Sequence, residues 1–293
     1  MKKWAEKHSY DLMITPLMVF LVLMVAFPLI YTVYLSFTNW NMGALAPKWL
    51  GLKNYIDVLT DSQFWSDTGH TLYLAFGSVA IELVLGTGIA IVLNRPFAGK
   101  NFIKTLFLLP MVATPIAVGM VWQLIYEPTL GVANYLLKFL GIEPVMWLID
   151  TNMVMKSMII IEVWEWTPMV MLIVLAGLAG MPQDVFEAAK VDGANRFQIF
   201  RRVTLPLLAP TLIVTALMRI IDALKTFDII YATTQGGPLK ASETVNLLAY
   251  KSIFSYFKMG RGAALIICFL AEIGLCCALV MILRRNAKRR QTA

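Results

Sequence analysis

Six stretches of this chain hold about twenty or more mainly apolar residues in a row, and that decides its solvent. A helix needs about 20 such residues, rising ~1.5 Å each, to cross a hydrocarbon layer about 30 Å thick. The stretches run approximately Leu12–Phe37, Thr71–Leu93, Thr105–Tyr126, Met153–Leu178, Leu207–Ile230 and Ala263–Leu283. Composition agrees. Of the residues 59% are hydrophobic and 15% charged, against about 25% charged in a soluble domain. The expected fold is all-α: one domain, residues 1–293, a polytopic bundle of six transmembrane spans. The first stretch is too long for a signal-peptide core of about 7–15 residues and ends without a small-x-small cleavage site. It reads as a retained span.

Lys and Arg set the orientation. With both termini in the cytoplasm, 15 basic residues lie inside and 7 outside. The inside set is Lys2, Lys3 and Lys7; Arg95, Lys100 and Lys104; Lys190, Arg196, Arg201 and Arg202; and the tail from Arg284 to Arg290. The net charge of +7 is thereby explained by topology, with no nucleic-acid partner expected. The tail reads as a stop-transfer cluster rather than a lipid or nucleic-acid patch. Trp40, Trp49 and Trp147 fall where interfacial aromatic residues collect.

The few residues of metal or redox chemistry are poorly placed for it. Cys268, Cys276 and Cys277 share one apolar run, and His8 and His70 are isolated. No catalytic residue, metal or cofactor is expected.

The most informative segment is the polar loop from Met181 to Pro210, between the fourth and fifth spans. Pro182 suits a helix start, and Asp184 and Glu187 suit its positive end. Asp192-Gly193 is a stop and turn signal. A second short helix is expected over Ala194–Arg202, and Leu205-Pro206 re-enters the membrane. The spacing predicts a helix–turn–helix elbow at the membrane surface. A loop that only anchored topology would have no use for Glu187, Ala188, Ala189, Gly193 and Pro206.

This segment resembles the EAA loop of binding-protein-dependent ABC importer permeases. That pattern is Glu-Ala-Ala, three residues, Gly, nine residues, Ile, one residue, Leu-Pro. Here it reads Glu187-Ala188-Ala189, Gly193, Val203, Leu205-Pro206, with Val for Ile as the one departure. Asp192 and Ala194, Gly236-Gly237-Pro238 and Leu109-Pro110 are similar to the sugar-importer, maltose-importer-like branch. The resemblance covers about residues 10–290. It implies the type I importer permease fold in a bacterial inner membrane. It also implies a second permease subunit, two copies of an ATPase subunit and an extracytoplasmic solute-binding protein. Glu187, Ala188, Ala189, Asp192 and Gly193 would then form the helix that docks on the ATPase. ATP hydrolysis is expected on that other subunit, so the chain itself is not an enzyme. The nearest approach to a phosphate loop, Gly99-Lys100, has Asn101 where Ser or Thr is needed and Asn94 for the first Gly.

Two spans carry charge. An ionisable group at a helix centre costs about 2.5–3.5 kcal/mol to insert, so these groups should face a cavity or each other. Glu162, Glu165, Trp166 and Met169 share one face of the fourth span, and Arg219, Asp222, Ala223 and Thr226 share one face of the fifth. Span midpoints fall near Glu165 and Arg219. Two readings stay open: these stripes line a solute site, with Trp164 or Trp166 stacking on a sugar ring, or they form a buried Glu–Arg–Asp network that joins the helices. By resemblance the stripes fall where the maltose-importer subunit lines its substrate pocket. The expected solute is a sugar, with a polyol, a glycerol-phosphate-type compound or a charged sugar derivative as alternatives. A secondary transporter would call for more spans or an internal repeat, and a membrane enzyme for clustered catalytic groups.

Overall fold

The computed structural model describes residues 9–44 and 46–292, with side chains over 13–44 and 46–282. Lys2, Lys3, Lys7 and His8, and the side chains from Arg284 to Arg290, lie outside the described residues. Two compact units share the chain: Met1–Trp65 with Leu248–Glu272, and Ser66–Leu247 with Ile273–Ala293.

In the first unit, α1 (Ser9–Ser36) is apolar all round, and its most apolar 18-residue window buries nothing within the chain. Such a helix is stable only against lipid or another subunit. Past its end, Thr38 and Trp49 form an isolated antiparallel bridge. The short helix α2 (Lys53–Leu59) then brings Asn54 beneath that end. Asn54 Nδ2 donates to the carbonyls of Ser36 at 2.8 Å and Thr38 at 2.7 Å. The carbonyls that α1 leaves open are thereby satisfied away from water. Arg261 pairs with Asp61 in the same unit.

In the second unit, α3 (Ser62–Leu93), α7 (Val154–Ala179) and α10 (Leu205–Leu224) make the core. Ala90, Leu93, Val170, Met171, Val174 and Leu208 are all buried there. Gly86 sets how closely α3 approaches α7: a β-carbon on it would stand 2.7 Å from Val170 Cγ1 and 3.0 Å from the Met171 amide. Small residues do this work in membrane bundles because apolar lipid offers no drive for helices to associate. A second cluster joins Ala75 and Val79 to Ile220, Ala223 and Leu224.

One expectation needs correction. The third stretch is not one straight span. It is α4 (Lys100–Val112) and α5 (Pro115–Ile125), bent by 98°. Ala113 and Thr114 are extended, at ψ 149° and 139°. Pro115 disfavours a helical residue before it, so the chain turns there and restarts with proline in the first turn. The loop that follows holds a short helix, α6 (Val132–Phe139). The fifth stretch lies within one membrane-length span, Arg196–Thr233, whose helix is interrupted once. α10 stops at Leu224, and α11 (Asp228–Thr233) follows. Asn246 Nδ2 donates to the Lys225 carbonyl that the break frees, at 3.0 Å.

Among the described residues five helices are long and apolar enough to cross a membrane, or six if the bent pair is one span. α13 (Met259–Thr292) is the last, after α12 (Val245–Tyr250) and a π-helical turn at Lys251–Ser255.

Candidate functional sites: a charged cavity and a polar elbow

The elbow is built by two adjoining caps. α8 (Gln183–Val191) begins after Pro182, which is its N-cap rather than its first residue. It ends in a Schellman motif: Ala194 N–H donates to the Ala189 carbonyl and Gly193 N–H to the Lys190 carbonyl, both at 3.0 Å. This motif needs a left-handed residue, and Gly193 has φ +76°. Asn195 then opens α9 (Arg196–Ile199) with a capping box to Gln198, the two bonds being 2.8 and 2.9 Å. The second helix, expected over Ala194–Arg202, thus starts at Arg196 and runs on past Arg202. From Phe200 to Thr204 the backbone widens into a π-helical turn that leads into α10. Glu187, Ala188, Asp192 and Gly193 are exposed and Ala189 is half-buried, so the elbow presents a free face.

The charges of α7 and α10 converge on an arginine. Arg219 is fully buried. Its Nε donates to Glu82 Oε2 at 2.8 Å and its Nη2 to Glu82 Oε1 at 3.2 Å and Glu162 Oε1 at 3.0 Å. The Thr226 hydroxyl donates to the same Glu162 oxygen at 3.3 Å. The guanidinium lies 4.7 Å from the Trp166 ring centre, a cation–π distance. Glu82 sits in the second stretch, which had looked free of charge. A lone acid within an apolar run is the signal that could have found it, but the run's mean hydropathy masked it. The network is therefore Glu–Arg–Glu. Asp222 pairs instead with the partly exposed Lys225, at 3.1 Å.

Beside this network lies a cavity of about 130 Å³. Of the residues expected to line a site, Glu162, Glu165, Trp166, Arg219, Asp222 and Thr226 border it. Met169 and Ala223 do not; Ala223 packs in the core with Ala75 and Val79. Pro115, Lys225, Phe227, Asp228 and Ile229 complete the wall. Sequence spacing missed these five, which lie at or just beyond the breaks at Ala113–Thr114 and Lys225–Phe227. Trp164 faces away, edge-on to Trp122 at 5.6 Å. Three buried polar atoms at the cavity have no hydrogen-bond partner among the described residues: Glu162 Oε2, Glu165 Oε2 and Arg219 Nη1. Buried polar groups are rarely left so, and each costs about 1–3 kcal/mol unless a ligand or water meets it.

A multi-span helical bundle with a polar centre and a capped elbow is the architecture of a membrane transport component. The chain belongs to the binding-protein-dependent transport system inner membrane component family, which it matches over residues 82–292. It is 42% identical to "Probable ABC transporter permease protein y4oQ" of Sinorhizobium fredii, over 85% of this chain and 81% of that one. It is 37% identical to the trehalose/maltose transport system permease protein MalF of Thermococcus litoralis, over 88% of this chain and 86% of that one. Its fold superposes on a chain of a bacterial ABC transporter involved in import of the acidic polysaccharide alginate, with TM-score 0.83, 19% identity and complete coverage of both chains.

Proposed function

We propose that this chain is the permease subunit of an ATP-driven importer that passes a sugar or sugar-like solute from a solute-binding protein into the cell. The relatives named for trehalose and maltose support the solute class. The observation that carries the reading is the cavity, where Glu162, Glu165 and Arg219 each hold an unmet hydrogen-bonding atom. Carboxylate acceptors and guanidinium donors suit sugar hydroxyls. The lining charges of Asp222, Lys225 and Asp228 also suit a charged sugar derivative.

At about 130 Å³ the cavity falls short of a complete ligand pocket, roughly 300–1,000 Å³. A second permease subunit would supply the facing half. Two ATPase copies would sit below, with Glu187, Ala188, Ala189, Asp192 and Gly193 of the elbow docked on one. Both termini would then be cytoplasmic. Reporter fusions at Gly193 are expected to read cytoplasmic and at Gly51 external; an external signal at Gly193 would sink the orientation and the docking together.

The solute role separates from the structural one by substitution. Glu165 and Asp222 lie outside the Arg219 bonds, so Glu165→Gln and Asp222→Asn should leave the complex assembled. Each removes one charged hydrogen-bond partner, about 1.5–3 kcal/mol, and uptake should fall roughly 10- to 100-fold. Uptake in proteoliposomes, beside size-exclusion of the complex, makes the test. Loss of assembly, or assembly with unchanged uptake, rules out the solute role for that residue.

A further inference from the structure

The second unit holds a cavity that the transport reading leaves unused. It measures about 670 Å³ and lies behind the elbow, between the ends of α3 and α7 and the inner faces of α8 and α9. Its rim carries Arg95, Lys190 and Arg196, and its wall carries Phe186, Ile199 and Phe200. Among the described residues no acid lines it. On α8, Gln183, Phe186 and Lys190 line the cavity, while Asp184 and Glu187 do not.

A second cavity, about 330 Å³, adjoins it between α3 and α10, and the two share Ile91 and Phe200. Leu83, Val84, Leu205 and Leu212 make its wall, with only Thr87 offering a polar side chain. Gly88 opens the groove, because a β-carbon there would meet nothing within 4 Å. The π-helical turn at Phe200–Thr204 places Phe200 at the junction. Such turns interrupt regular helices mostly where a function needs the space.

A chamber rimmed by three cationic side chains, adjoining an apolar groove between two membrane-length helices, matches one kind of molecule. We propose that the two cavities hold an anionic glycerophospholipid of the leaflet on the elbow's side, its phosphate on Arg95, Lys190 and Arg196 and an acyl chain along Leu83, Gly88 and Leu212. Basic pockets between spans bind anionic headgroups through charge, and burial of methylene groups adds affinity. A soluble anion would use the rim and leave the groove empty. A protein segment would need to enter the bilayer to fill it. Since Lys190 and Arg196 stand on the elbow itself, the lipid would brace the elbow against α3.

The test uses the assembled importer in phosphatidylcholine nanodiscs with and without phosphatidylglycerol, and native mass spectrometry to read the lipid that stays bound. The wild type is expected to retain phosphatidylglycerol over phosphatidylcholine. Arg95→Gln/Lys190→Gln/Arg196→Gln should lower that retention about tenfold or more. Gly88→Leu, which fills the groove and touches no charge, should lower it as well. Both variants are checked for assembly by size-exclusion, and glycerol phosphate is added as the free-anion competitor. Retention unchanged in either variant overturns the proposal. So does displacement by glycerol phosphate, which would mark a soluble anion, or loss of ATPase subunits from the triple variant with lipid retained, which would mark a protein contact.

Discussion

Arg219→Met should leave little assembled complex. The substitution keeps an apolar stem of similar length and removes every bond to Glu82 and Glu162, which are 0% and 1% exposed. Two carboxylates would then face each other with no cation, away from water. Breaking a buried ion pair by removing one partner costs about 3–5 kcal/mol, a large part of a total stability of about 5–15 kcal/mol. Arg219→Lys should rescue poorly. The native bonds use both Nε and Nη2 in one plane, and an ammonium offers no such fork. Arg219→Met with Glu82→Gln and Glu162→Gln should recover assembly, because the charge imbalance goes with the charges. Detergent size-exclusion of the co-expressed complex reads all three. An Arg219→Met complex as abundant and monodisperse as the wild type would show that the network holds nothing together.

Gly193→Trp should do the reverse: the complex assembles and uptake is lost. The left-handed backbone at Gly193 costs a residue with a β-carbon about 1–2 kcal/mol. That is tolerable, and a β-carbon there meets no atom of this chain within 4 Å. The indole therefore projects from the exposed turn and burdens a partner rather than the fold. Gly193→Asn, whose side chain accepts a left-handed backbone, should keep most of the uptake that Gly193→Trp loses.

The elbow was legible in the sequence because its punctuation is local. Asp192-Gly193 stops one helix within two residues, whereas the Asn195–Gln198 capping box that starts the next emerges from the structure. The membrane spans were legible because hydropathy accumulates over twenty residues. That same averaging hid Glu82, one acid among apolar neighbours, and passed over the bend at Pro115, where composition stays apolar while the backbone turns. Of the stripe expected from the fifth span, Arg219, Asp222 and Thr226 border the cavity, whereas Ala223, which helical spacing puts beside Arg219, is claimed for the core by the packing of α3. The π-helical turn at Phe200–Thr204 has no sequence signal, because it arises where the elbow and α10 must join at fixed angles.

The central claim is that this chain couples ATP hydrolysis on another subunit to passage of a saccharide. The most direct measurement is hydrolysis by proteoliposomes of the complete complex, with its solute-binding protein added empty or loaded. The account predicts that loaded binding protein raises hydrolysis by the wild type and drives uptake, while Gly193→Trp, equally assembled, stays at the basal rate. Near-normal uptake and stimulated hydrolysis in Gly193→Trp would contradict it, as would a wild-type complex whose hydrolysis ignores the loaded binding protein.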